Sequence, residues 1–139
     1  MENTRKVIRD LACKYNKEEY FRTDPLIFFK HFALLLQGKE GIFNDVPIPE
    51  TISLKDVEIA GIIAAHLAWG RRDMIVRDTK RAMDEMNWNP YDYIQKGIYR
   101  DHDTSLHRTI KWSEFAKICS NLKMFYTEHQ SLEELSAEE

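Results

Sequence analysis

Glycine and proline are scarce in this chain, five and four among 139 residues, and that scarcity disfavours both disorder and turn-rich β architecture. Cysteine is scarcer still. Cys13 and Cys119 lie far apart, each inside an apolar helical pattern and neither in a C-x-x-C, so they are expected to be small buried hydrophobes in a reducing compartment. No stretch approaches the roughly 20 apolar residues that cross a bilayer, and the N-terminal MENTRKVIRDL lacks the apolar run of a signal peptide. The expectation is a cytoplasmic protein with no membrane partner. Excess base is missing too: 20 Lys and Arg face 23 Asp and Glu, a net charge of −3. Four of those acids (Glu133, Glu134, Glu138, Glu139) sit in residues 131–139, and without them 20 basic residues face 19 acidic ones, 23 minus 4. Any nucleic-acid role must therefore rest on a local patch.

Catalytic signatures are also absent. The five glycines form no phosphate-binding loop, no serine stands in a G-x-S-x-G elbow, and no nucleophile is paired with a base. No cofactor is expected, and no catalysis by this chain alone. Strand-period alternation, internal repeats and low-complexity segments are missing as well.

What remains is helical pattern. Val7, Ile8, Leu11, Ala12 and Tyr15 form an amphipathic stripe, and Asp24-Pro25 supplies a cap and first-turn proline for LIFFKHFALLLQ, which Gly38 ends. Residues 38–51 hold two glycines and two prolines, the long loop of the chain and a connection or lid. Ser53 with Asp56 three residues on then has the form of a capping box for a helix spanning about 54–69. Between Val57 and Trp69 only Glu58, Gly61 and His66 interrupt the apolar residues, so this helix is expected at the centre of a core. Beyond Gly70 the pattern turns amphipathic. Ile75, Thr79, Ala82, Met83 and Met86 share one face, and Asp73–Arg77, Lys80–Asp84 and Arg81–Glu85 are spaced for i, i+4 ion pairs on the other. Asn89-Pro90 opens a short helix that Gly97 stops, residues 101–109 look like a polar loop, and a final helix starts near Ser113 with Phe115, Ile118, Cys119, Leu122, Phe125 and Tyr126 on its inner side. The prediction is an all-α fold of roughly six helices around a buried central one, as a single helical domain over residues 1–130 followed by an acidic tail, 131–139.

Two places could carry chemistry. In RDHDTSLHR, His102 and His107 flank Asp101 and Asp103, but the spacing fits no zinc or other metal template, and a solvated loop explains it better than a metal-dependent hydrolase. No metal site is expected. His66 lies one turn before the central helix ends, either as a core histidine satisfied by a carbonyl or carboxylate, or as a side chain projecting toward a partner. Trp69, Gly70, Arg71 and Arg72 follow it. Gly70 permits a left-handed cap, and two arginines at the start of the next helix suit a phosphate, although they equally suit pairing with Asp73 or Asp78 within a tight turn.

A resemblance adds to this. DVEIAGIIAAHLAWGRRDMIVRDTKRAMDEM, NPYDYI, LHRTIKWSEFAKICSNLKMFY and SLEEL, with Asp24-Pro25, resemble the N-terminal half of a family of uncharacterised bacterial proteins frequent in Bacteroidetes, AWGRR and HRT (His107 to Thr109) being its most specific words. Those proteins are similar, more distantly, to helix-hairpin-helix DNA glycosylases of base-excision repair. The glycosylases end their central helix in a serine-alanine-glutamine word whose glutamine enters the duplex. Here Ala64-Ala65-His66 takes that place, which implies that His66 inserts and that Trp69, Gly70, Arg71 and Arg72 lie against the DNA backbone. The glycosylases' downstream glycine-x-glycine hairpin and catalytic aspartate have no counterpart before Glu139. The implied function is DNA binding related to repair, without catalysis, by half a module: a truncated product, or a chain completed by a C-terminal half or a homodimer partner. The alternative from a different class is a small helical protein-interaction or dimerisation module.

Overall fold

The computed structural model describes residues 25–132, which form five helices and one small sheet. In order these are α1 (Leu26–Leu36), α2 (Leu54–His66), α3 (Arg72–Glu85), α4 (Pro90–Lys96), β1 (Ser105–His107), β2 (Ile110–Lys111) and α5 (Trp112–Glu128). The fold is thus mostly helical rather than purely so. The amphipathic stripe over residues 7–15, Cys13, Asp24 and residues 133–139 lie outside the described residues.

The core follows the apolar faces. Val57, Ile59, Ala60 and Ile63 of α2 pack with Ile27, Phe28 and Phe32 of α1, with Ala82 and Met83 of α3, and with Phe115, Cys119 and Leu122 of α5. Burial pushes the Cys119 thiol up to about 12, the value of an inert core thiol. The amphipathic faces expected for α3 and α5 are turned inward, from Ile75 to Met86 and from Phe115 to Tyr126. At its start, α2 has its capping box: the Ser53 N–H donates to Asp56 Oδ2 at 2.9 Å. The other Asp56 oxygen accepts the Tyr91 N–H at 3.0 Å, so one buried carboxylate holds the N-termini of α2 and α4 together. Glu58 ties α2 to the C-terminal end of the described chain, accepting from the Tyr126 hydroxyl at 2.8 Å and from the Leu132 N–H.

Residues 38–53 contain no helix or strand, as their composition implied. They are moored by His31, buried on α1, whose Nδ1 accepts the N–H groups of Ile42 and Phe43 at 3.0 and 3.2 Å. Its ring stands edge-on to Phe32, Phe43 and Trp88. No Cβ fits at position 41, because it would collide with that ring.

Three expectations require correction. The central helix ends at His66, not near residue 69, and its last turn is not buried all round: Ala65, His66 and Ala68 are exposed. The helix gives way there to a local turn, in which the Trp69 N–H bonds the Leu67 carbonyl, and to one tertiary partner, His107, which takes the Trp69 carbonyl. Residues 101–109 are not simply a loop. Ser105–His107 pairs antiparallel with Ile110–Lys111, and strands of three and two residues are too short to show alternation in a sequence. The spaced ion pairs of α3 do not form as i, i+4 pairs among the described contacts: Arg77 and Arg81 both turn to Asp78 instead.

Candidate functional site

Asp78 sits on the inward face of α3, three residues after Ile75 and four before Ala82, and is 1% exposed. A carboxylate there must be paired. Arg77 reaches it with two nitrogens, Nε to Oδ1 at 2.9 Å and Nη2 to Oδ2 at 3.1 Å, while Arg81 Nη1 lies 3.5 Å from Oδ1. His107, also buried, places Nδ1 2.7 Å from Oδ2. Burial pushes the Asp78 carboxyl up, but the hydrogen bonds from Arg77 and His107 and their charges more than offset it, holding it below the usual carboxylate range. The same environment raises Arg77 further, chiefly through its hydrogen bond to Asp78.

His107 passes this anchorage on. Its other nitrogen, Nε2, lies 2.9 Å from the carbonyl oxygen of Trp69, and the two rings meet edge to face at 6.0 Å. A single buried carboxylate on α3 thereby fixes the β1–β2 hairpin and, through it, the turn between α2 and α3. Arg81 adds a second tie, donating to the Leu106 carbonyl at 2.8 Å.

On the outer side of that turn stand the residues singled out in the sequence. His66 is the last residue of α2 and is exposed, so the core-histidine expectation for it is overturned. The apolar face of α2 is complete without it, Ile63 and Leu67 filling the inward positions on either side. Trp69 is 41% exposed, and Gly70 has φ +106°, the left-handed conformation for which glycine was needed. Arg71 caps α3 and Arg72 is its first residue, both exposed; Arg71 pairs with Asp73 at 3.0 Å, one of the pairings left open by the spacing. Arg108, at the tip of the hairpin, lays its guanidinium over the Trp69 ring at 4.4 Å. The turn, the start of α3 and the hairpin tip thus bring Arg71, Arg72 and Arg108 beside the exposed Trp69, with Asp73 as the acid paired among them. Guanidiniums so placed have the donor geometry to hold anions and to stack on flat π systems.

Sequence reasoning missed the organising role of Asp78 and His107. A signal existed for Asp78, an acid within an apolar helix stripe, but in the sequence it served only as a possible partner of Arg71 or Arg72 within a tight turn. His107 was expected to be solvated; it is buried because Leu106 and Ile110 draw the hairpin onto the core. His102, Asp101 and Asp103 are exposed, and no group of three or more His, Cys, Asp or Glu placed to hold a metal occurs among the described residues. Nor is any described helix long and apolar enough to cross a membrane.

A family model described as "protein of unknown function (DUF2400)" matches residues 46–139, which contain the whole of this surface. No curated protein and no solved structure matches the chain.

Proposed function

We propose, for a chain that belongs to the DUF2400 family of proteins of unknown function, that it is a helical DNA-binding module related to the helix-hairpin-helix glycosylases and without catalysis of its own. Its contact surface is His66, Trp69, Gly70, Arg71 and Arg72. The observation that carries this reading is the grouping of exposed Arg71, Arg72 and Arg108 at the turn that bears the exposed Trp69, on a chain whose overall charge is negative. Guanidiniums bind phosphate oxygens bidentately, and those at a helix start act together with the backbone N–H groups and the positive end of the helix dipole. His66, exposed at the end of α2, is free of packing duties and stands where the glycosylase resemblance would have a side chain enter the duplex.

Arg71→Ala with Arg72→Ala tests the reading. Every phosphate that the protein ceases to neutralise lowers the slope of log affinity against log salt by roughly 0.9 on duplex DNA, so the pair is expected to lower it by up to about two while leaving thermal stability unchanged. Equal retention of wild type and double variant on a DNA column at low salt overturns it.

A second reading, a dimerisation or protein-interaction module, has one observation in its favour. Ile98 and Met124 are 81% and 69% exposed, near the junction of α4 and α5, where Gly97 lies against Lys123. Large apolar side chains that open to water are a cost that a partner would remove.

A further inference from the structure

Arg108 occupies a backbone conformation that its residue type disfavours. The β1–β2 hairpin pairs His107 with Ile110, leaving a two-residue turn of Arg108 and Thr109, and Arg108 has φ +54°. Tight hairpin turns of this kind place glycine or asparagine at such a position, because a Cβ there crowds the backbone. The turn is nevertheless pinned from both sides: the Ser105 hydroxyl donates to the Arg108 carbonyl at 2.7 Å, and His107 is locked between Asp78 and Trp69. The strain places the guanidinium over Trp69 at 4.4 Å. Gly70 serves the same contact, since a Cβ at that position would collide with the Arg108 side chain. Both partners are exposed. Two unusual backbone positions therefore maintain a stack that contributes nothing to the core.

Asn87 and buried Trp88 have much the same φ inside a packed turn, whereas at Arg108 the side chain so placed lies on the surface, where a ligand can use it. A guanidinium lying on an indole face occupies the place where another planar π group can stack, and it has phosphate-binding donors of its own. We infer that Trp69 is a stacking platform for an unpaired nucleobase and that Arg108 is its movable cover: the base takes the indole face, and the guanidinium swings to the adjacent phosphate. The inference rests on the DNA-binding reading and narrows its ligand class, from duplex in general to strands with an unpaired or extrahelical base. Position supports that class. The Trp69 carbonyl is bonded by buried His107 and the two rings meet nearly at right angles, so the platform is anchored while its cover is a flexible side chain.

The three tryptophans allow a direct readout. Trp88 and Trp112 are each 1% exposed, leaving Trp69 as the one indole that a nucleobase can reach. Intrinsic fluorescence is titrated at low salt with oligo-dT, with a fully paired duplex and with the same duplex carrying one bulged thymine. Expected are saturable quenching by oligo-dT and the bulged duplex, tighter binding of both than of the paired duplex, and a roughly tenfold weaker affinity for them in Trp69→Ala, the scale of removing one base stack. Arg108→Gly suits the backbone at φ +54°, so its melting temperature is expected to equal or exceed that of wild type while its affinity for the bulged duplex falls severalfold. Equal binding of all three nucleic acids without tryptophan quenching overturns the inference and leaves the DNA-binding reading standing. Undiminished affinity for the bulged duplex in both variants does the same. Binding of none of them overturns both.

Discussion

His31 shows how one buried side chain ties composition to pH. Its Nδ1 accepts two backbone N–H groups, so the ring must be neutral with its proton on Nε2, and Nε2 has no hydrogen-bond partner among the described residues. Burial lowers its pKa from 6.5 to about 4. The unfolded chain therefore binds the proton between those values while the folded chain does not, and stability falls as pH drops through that window. At about 1.4 kcal/mol per unit the full contribution is on the order of 3 kcal/mol, complete above pH 6.5 and lost on approach to pH 4. The urea midpoint of wild type is expected to fall between pH 7.5 and pH 4.5, and that of His31→Gln, which keeps an acceptor but does not titrate, to fall less. Parallel declines in the two proteins would show that another group is responsible.

At the scale of elements, the α3–hairpin connection depends on Asp78. Removing the carboxylate leaves buried His107 without its partner, while Arg77 and Arg81 stay open to water, and an unsatisfied buried polar group costs roughly 1–3 kcal/mol. Asp78→Ala is expected to destabilise the fold by that order in urea titration and to expose the hairpin amides to hydrogen exchange first. Asp78→Asn, which preserves an acceptor, is expected to cost less. A drop in stability below about 1 kcal/mol for Asp78→Ala would mean that the hairpin is held by Leu106 and Ile110 alone. Much of this element structure is legible in the sequence: the Ser53–Asp56 capping box, Pro90 at a helix start, Gly97 at a helix end with φ +72°, and the inward faces of α3 and α5. Those are local signals, written within one turn of the residues they govern. The hairpin is not legible there, because its two short strands are stabilised by the core beneath them and by a histidine whose partner lies 29 residues earlier.

For the whole molecule the two functional readings differ in what they predict about association. On the DNA-binding reading the chain sediments as a monomer at micromolar concentration, and duplex DNA shifts it in a manner that about 0.5 M salt reverses. A dimer indifferent to DNA and dissolved by Ile98→Lys would favour the interaction module instead. Net charge offers no guide between them. The value of −3 conceals an arginine-rich face whose members come from separate segments of the chain.

Composition and periodicity by themselves determined that this chain is mostly helical and which faces of its helices turn inward, and they allowed a left-handed turn at Gly70 that the structure then shows with φ +106°. They also brought His66, Trp69, Gly70, Arg71 and Arg72 to notice, because those five lie within two turns of one another in the chain. Tertiary structure alone decided that His66 faces outward, that His107 is buried, and that Arg108 lies on Trp69 across 39 positions of sequence, 108 minus 69. The physical reason is range. Helix propensity, caps and amphipathic faces act over three or four residues, whereas a buried carboxylate must find its cations wherever the packed core brings them.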